Sequence, residues 1–166
     1  MNDTLKKYLL YTLCGLLPVW LADTVLLPSF RMVTPVLLPL CVVALSVLEG
    51  AFSGAQFGLV TGMVWALTYA GAPPFRIPLL TLVGMAAGAV TQYALRRSLS
   101  GFLVCASATV ALLEVRNVLG GLITDLAAPT PLLLMALKEF FVTLLCAPLV
   151  YFLFYLLYRR CGGKPV

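Results

Sequence analysis

Histidine is absent from all 166 residues, and Asp and Glu together number only 6. Without an imidazole, no serine or cysteine has its usual activating base. No two carboxylates stand at a helical i, i+3 or i+4 spacing, and neither a Walker loop nor a dinucleotide fingerprint occurs. Cys14, Cys41, Cys105, Cys146 and Cys161 show no C-x-x-C spacing, which argues against a disulfide framework or a metal site. Cysteines in apolar segments act as small core hydrophobes. These absences point to a non-enzymatic protein without a cofactor. Charge is also scarce: 10% of residues are charged, against about 25% in a soluble domain.

Apolar residues fill that deficit. The chain is 62% hydrophobic, with a mean hydropathy of +1.06, so the expected solvent is lipid. The expected architecture is a single all-α integral membrane domain over 1–166. Spanning takes about 20 mostly apolar residues, and six segments qualify: approximately 8–28, 32–48, 50–70, 77–95, 101–122 and 132–158. The N-terminal lysines before an apolar run superficially suit a signal peptide. The run from Tyr8 to Leu27 exceeds a typical signal core and has no convincing cleavage site, so it reads as a retained first helix. Pro35 and Pro39 predict a kink or an irregular start in the second segment. Glu49-Gly50 makes a tight turn before the third.

Basic residues set the topology. With the N-terminus inside, Lys6, Lys7, Arg96, Arg97, Arg159, Arg160 and Lys164 collect on the cytoplasmic side, and only Arg31 and Arg76 outside. This positive-inside bias places both termini in the cytoplasm. The net charge of +5 is then accounted for by cytoplasmic rims, which favour anionic lipid headgroups over nucleic acid.

Glycine recurs every fourth residue at Gly50, Gly54, Gly58 and Gly62, and Ala66 and Ala70 extend the spacing. In lipid, helices associate where small residues let backbones approach. A four-residue step turns a helix by about 400°, so the stripe drifts about 40° per step and suits a crossing partner or two successive ones. The third segment therefore reads as the central packing helix. Internal packing is favoured over docking of another protein. Gly84, Ala87 and Gly88 repeat the device in segment four, so segments three and four are expected to pack together. Gln56, Thr61 and Gln92 are expected to bond across helices, and Trp65 and Tyr69 to serve packing or the interfacial belt.

Two charged clusters fall inside the spans: Glu114, Arg116 and Asn117 in segment five, Lys138 and Glu139 in segment six. One such charge at a helix centre costs about 2.5–3.5 kcal/mol, so partners are required. Counting about 1.5 Å per residue from each entry point puts the clusters at similar depth. Crossed pairs, Glu114 with Lys138 and Arg116 with Glu139, follow as a geometric expectation. A charge-neutral clamp is the simpler reading. A polar site for a ligand or an incoming transmembrane helix is the alternative.

Pro35-Val36-Leu37-Leu38, then Ala44-Leu45-Ser46-Val47-Leu48-Glu49-Gly50, then Gly54-Ala55-Gln56-Phe57-Gly58-Leu59-Val60-Thr61-Gly62 resembles the rod-shape-determining MreD family. Pro78-Leu79-Leu80, Gly84, Gly88, the Arg96-Arg97 turn and Glu114 extend the likeness over about residues 8–160. Trp65 departs from it, standing where the family often has an aspartate. The resemblance implies a scaffold subunit of the bacterial elongation machinery, in the cytoplasmic membrane. It also implies an MreC-like single-span partner and, through it, an MreB-like filament, a RodA-like glycosyltransferase and a class B penicillin-binding protein. Self-association as a homodimer stays open. That family's fold is similar to that of the S components of energy-coupling-factor vitamin importers. Such an importer subunit is the rival reading, with Arg31, Arg76, Trp65, Tyr69, Glu114, Arg116 and Lys138 as candidate ligand contacts.

Overall fold

A computed structural model describes residues 3–26, 36–68, 75–94, 98–123 and 129–161. Among them every regular element is helical, and there is no strand. The N-terminal stretch begins as α1 (Asp3–Leu10), widens into a π-helical turn (Tyr11–Leu16), continues as α2 (Leu17–Leu21) and widens again over Ala22–Leu26. Pro18, in the first turn of α2, has no N–H to give to the turn before it. Five further helices follow: α3 (Leu38–Glu49), α4 (Ala51–Thr68), α5 (Arg76–Tyr93), α6 (Leu99–Ile123) and α7 (Pro129–Arg160).

The central helix is α3. A helix that is apolar all round belongs in an interior, and every residue from Leu38 to Leu48 is buried. The other long helices all pack against it. This corrects the sequence expectation, which gave the central place to the glycine-striped α4. That helix keeps Phe52, Leu59, Val60, Met63 and Leu67 exposed. Pro39 does not kink α3; it sits in the first turn, where a missing N–H is no loss. The helix is 12 residues long, or about 18 Å, shorter than the 32–48 span expected. Residues 32–35 lie outside the described residues.

The turn after α3 is as tight as Glu49-Gly50 suggests. Gly50 has φ 105°, a left-handed conformation that disfavours any side chain, and α4 starts at the next residue. The chain reverses, and α4 lays its small residues against α5 in an antiparallel register. A Cβ on Gly54 would overlap the Gly84 carbonyl, and one on Gly58 would overlap the Leu80 carbonyl. At Gly62 it would stand 2.9 Å from Ile77 Cα, and at Gly88 it would run into Ala51. Backbone therefore touches backbone along four turns. Near Gly54 the contact becomes a three-helix junction, because Ser46 of α3 closes on Gly54 and Val42 closes on Gly84. Ser46 turns its hydroxyl back to the Val42 carbonyl (2.6 Å) and leaves no unmet donor at this contact. Ala66, further along the stripe, is half-buried, and Ala70 lies outside the described residues.

The polar residues expected to join helices behave differently. Thr61 donates to Phe57 O of its own helix (2.8 Å), a bond that the local backbone always offers. Gln56 and Gln92 lie on exposed faces. Helix α7 completes the core. Phe154 enters the space left by Gly15, where a Cβ would stand 2.8 Å from its ring. It also meets Phe57 edge-on at 5.9 Å between centroids. Tyr151 packs on Phe102 of α6 at 5.0 Å.

These contacts sort the helix ends into two poles. At the first, Lys7 reaches Glu49, Tyr8 reaches Ser53, Gly88 abuts Ala51 and Lys7 lies over the Tyr158 ring. The beginnings of α1, α4 and α6 thus gather with the ends of α3, α5 and α7. At the second pole Trp20 donates to Thr68 (2.7 Å); Val36 N–H, just before α3, donates to Thr143 near the middle of α7 (3.1 Å), so the first half of α7 continues past the start of α3. Two of the described helices, Leu99–Ile123 and Pro129–Arg160, are long and apolar enough to cross a membrane.

Two glycine substitutions separate packing from propensity. Gly58→Leu drives a side chain into the α5 backbone and should abolish recovery of monodisperse protein in mild detergent. Gly120 has open space where its Cβ would go, so Gly120→Ala should be tolerated and raise stability by about 0.5–1 kcal/mol. Thermal unfolding of both variants against the parent checks this. A well-folded Gly58→Leu protein would contradict the register.

Candidate functional site

Helices α6 and α7 pack along their length and carry the two charged clusters. The crossed pairs do not form. Arg116 places its guanidinium over the Phe75 ring, 3.8 Å from the centroid, a cation–π contact that spares it a carboxylate partner. Lys138 is exposed and lines a groove with Thr130, Pro131, Leu134 and Met135. Glu139 is half-buried, and its electrostatic neighbours are Glu114 and Asp23, both acids. The physical reason is azimuth. Residues two apart on a helix point about 200° apart, so a match in depth does not decide which side chains face each other: Glu114 has Glu139 as its neighbour, and the cations lie on other faces.

Glu114 is 7% exposed. Its Oε1 is buried and has no hydrogen-bond partner. A buried polar atom left unpaired costs about 1–3 kcal/mol. The group lines an otherwise apolar groove of about 400 Å³ between α6 and α7, whose walls include Ala111, Val118, Leu133, Leu137 and Phe140.

Among the described residues, two of the candidate ligand contacts meet, Arg76 and Trp65, and the others lie apart. Arg76 stacks on Trp65 at 4.8 Å, Arg116 on Phe75, and Glu114 and Lys138 line separate grooves. Arg31 and Tyr69 lie outside the described residues. Among the described residues no group of three or more metal-ligating side chains occurs. A second apolar groove, about 640 Å³, runs along the N-terminal stretch past Leu9, Leu13, Leu17 and Trp20 to Val64.

Two polar features escape the sequence reading. One is buried Asp23 in the N-terminal stretch. The other is the cluster around Glu49 at the first pole. Lys7 Nζ lies 2.6 Å from Oε1 and 2.9 Å from Oε2, and the Tyr11 hydroxyl donates to Oε1 at 2.7 Å. Tyr11 is fully buried and Glu49 nearly so, so this cluster pins the start of the chain to the α3–α4 turn. The available signal was Glu49 itself, an isolated acid ending an apolar run on the side that the positive-inside rule assigns to Lys7.

Comparison with family models, curated proteins and solved structures finds no match to the chain. The functional reading therefore rests on the site and the sequence pattern.

The Glu49 cluster makes a quantitative prediction. Glu49→Gln keeps the shape but loses the charge, and should lower unfolding stability by roughly 1.5–3 kcal/mol, the range for hydrogen bonds to a charged group. The exposure of Lys7 favours the low end. The exchange Lys7→Glu with Glu49→Lys should recover part of the loss. Thermal melts in detergent with the single and double variants measure both effects.

Proposed function

We propose that this chain is a six-span scaffold subunit of the bacterial elongation machinery, of the MreD kind. In this reading it holds an MreC-like single-span protein in the cytoplasmic membrane and has no catalytic activity of its own. Through that partner it supports an MreB-like filament, a RodA-like glycosyltransferase and a class B penicillin-binding protein in wall synthesis and cell shape.

The observation that carries the reading is where the small residues go. Gly54, Gly58 and Gly62, which bear the resemblance, are consumed in the contact with α5. The outer surface left over is broad and apolar: Leu67, Leu82, Val104, Leu145, Leu149 and Phe152 all stand exposed. A soluble monomer rarely exposes a continuous apolar surface of this kind, whereas lipid and partner helices both accept one. The two poles support the orientation. Lys7, Arg159 and Arg160 share the first pole, which the positive-inside rule makes cytoplasmic. Six alternating helical segments then return the chain to the side where it began.

The importer reading draws no such support. It requires a cavity in which several polar or aromatic groups converge, and Trp65, Arg76, Arg116 and Lys138 are spread over different contacts.

Purification of the tagged protein in mild detergent, with mass spectrometry of co-eluting species, tests the proposal. An MreC-like protein at near-equal stoichiometry is the expected result. A stoichiometric vitamin with ATPase-bearing importer subunits would overturn it.

A further inference from the structure

The N-terminal stretch contains two π-helical runs, Tyr11–Leu16 and Ala22–Leu26, on either side of the short α2. Such turns are rare, mostly single, and frequent at functional sites. A π turn holds about one residue more than the α turn it replaces. Here the Leu17 N–H reaches back to the Thr12 carbonyl, and Pro18, next in the chain, has no N–H to offer. The stretch is tied firmly up to Tyr11, where Lys7 and Tyr11 hold Glu49 and Tyr8 holds Ser53. Past the first π turn, the Trp20–Thr68 bond fixes its rotation against α4. Its flank beside them is open, with a groove of about 640 Å³ running from Tyr8 past Trp20 to Val64.

The sequence supplies a second face one residue out of step with the first. In the structure the buried places past Tyr11 belong to Gly15, Leu16, Val19 and Asp23. Closing the first π turn to an α turn moves each later residue into the place of its successor, a rotation of about 100°. Cys14, Gly15, Pro18 and Ala22 then fill those four places, and all are small or apolar. Trp20 leaves Thr68 for the exposed place that Leu21 now holds. The tight point is Cys14, whose Cβ would meet the Phe154 ring as a Cβ on Gly15 would.

We propose that the N-terminal stretch is a two-register switch, in which the first π turn closes to an α turn when the Trp20–Thr68 latch lets go. The latch and the Gly15–Phe154 contact hold the π register. A binder that engages the freed indole favours the α register, because it acts on one of the two states only.

Fluorine NMR of the full chain in mild detergent, with fluorotryptophan in place of tryptophan, reads the register at Trp20; Trp65→Phe assigns the lines. Thr68→Val removes the acceptor and keeps the shape. A neutral hydrogen bond weights two states by about twofold to tenfold, so the α-register line of Trp20 should gain by that factor over the parent. Adding Cys14→Gly, which clears the contact with Phe154, should raise that line further. Deleting Leu13 removes the surplus residue, so the stretch is α-helical with Trp20 still opposite Thr68. A single Trp20 line should then remain, even with Thr68→Val. One Trp20 line without exchange broadening in the Thr68→Val, Cys14→Gly protein would overturn the proposal, whether or not the Leu13 deletion folds. Two lines that persist in the deletion would overturn it as well.

Discussion

The fold depends on backbone meeting backbone along α4 and α5. Gly54 against Gly84, Gly58 against Leu80 and Gly62 against Ile77 set a register that no larger residue tolerates. Once it is set, much else follows. The approach brings Ser46 and Val42 of α3 into the same junction, so the short apolar α3 is trapped between the pair and the outer helices. Because α3 and α4 are joined only through Gly50, the junction also fixes where Glu49 sits. Lys7 and Tyr11 then find Glu49, and the N-terminal stretch is anchored. In a medium where burying leucine gains little, close contact of this kind is a principal source of specificity.

Function is best sought on what this packing leaves unused. The glycine stripe is spent inside and is closed to any partner. The lipid-like exterior is apolar almost everywhere and offers little discrimination. Polar groups at the two poles are largely satisfied by each other: Glu49 by Lys7 and Tyr11, Trp20 by Thr68, Arg76 by Trp65. Among the described residues Glu114 is the exception, with one buried carboxyl oxygen that has no hydrogen-bond partner. An internal clamp would have neutralised it with Lys138; the lysine points away instead.

The sequence made the small-residue contact legible because spacing along a helix is local information. Gly54, Gly58 and Gly62 face one side whatever surrounds them, and Gly84 and Gly88 announce a matching surface. The tight turn at Gly50 was legible for the same reason. The centrality of α3 was missed although its signal was present. A run apolar on every face, Leu38 to Leu48, belongs inside, but the prolines drew the reading towards irregularity. The charge pairing was misread for a deeper reason. Hydropathy and helix rise give the depth of Glu114 and Lys138, and azimuth depends on how α6 and α7 are rotated against their neighbours. That rotation is set by tertiary packing, including contacts such as Arg116 on Phe75, which no periodicity encodes.

If the chain spans a membrane as proposed, its alternating helices put a basic pole and an opposite pole on the two sides. Thr130 and Arg160 are exposed positions at the two ends of α7, and a cysteine at each, in a background with all five native cysteines replaced by alanine, tests it directly. In right-side-out vesicles, a membrane-impermeant maleimide should label Thr130→Cys at once and Arg160→Cys only after permeabilisation. Labelling of both from the same side before permeabilisation would mean that α7 does not cross, and would rule out the proposed spanning bundle.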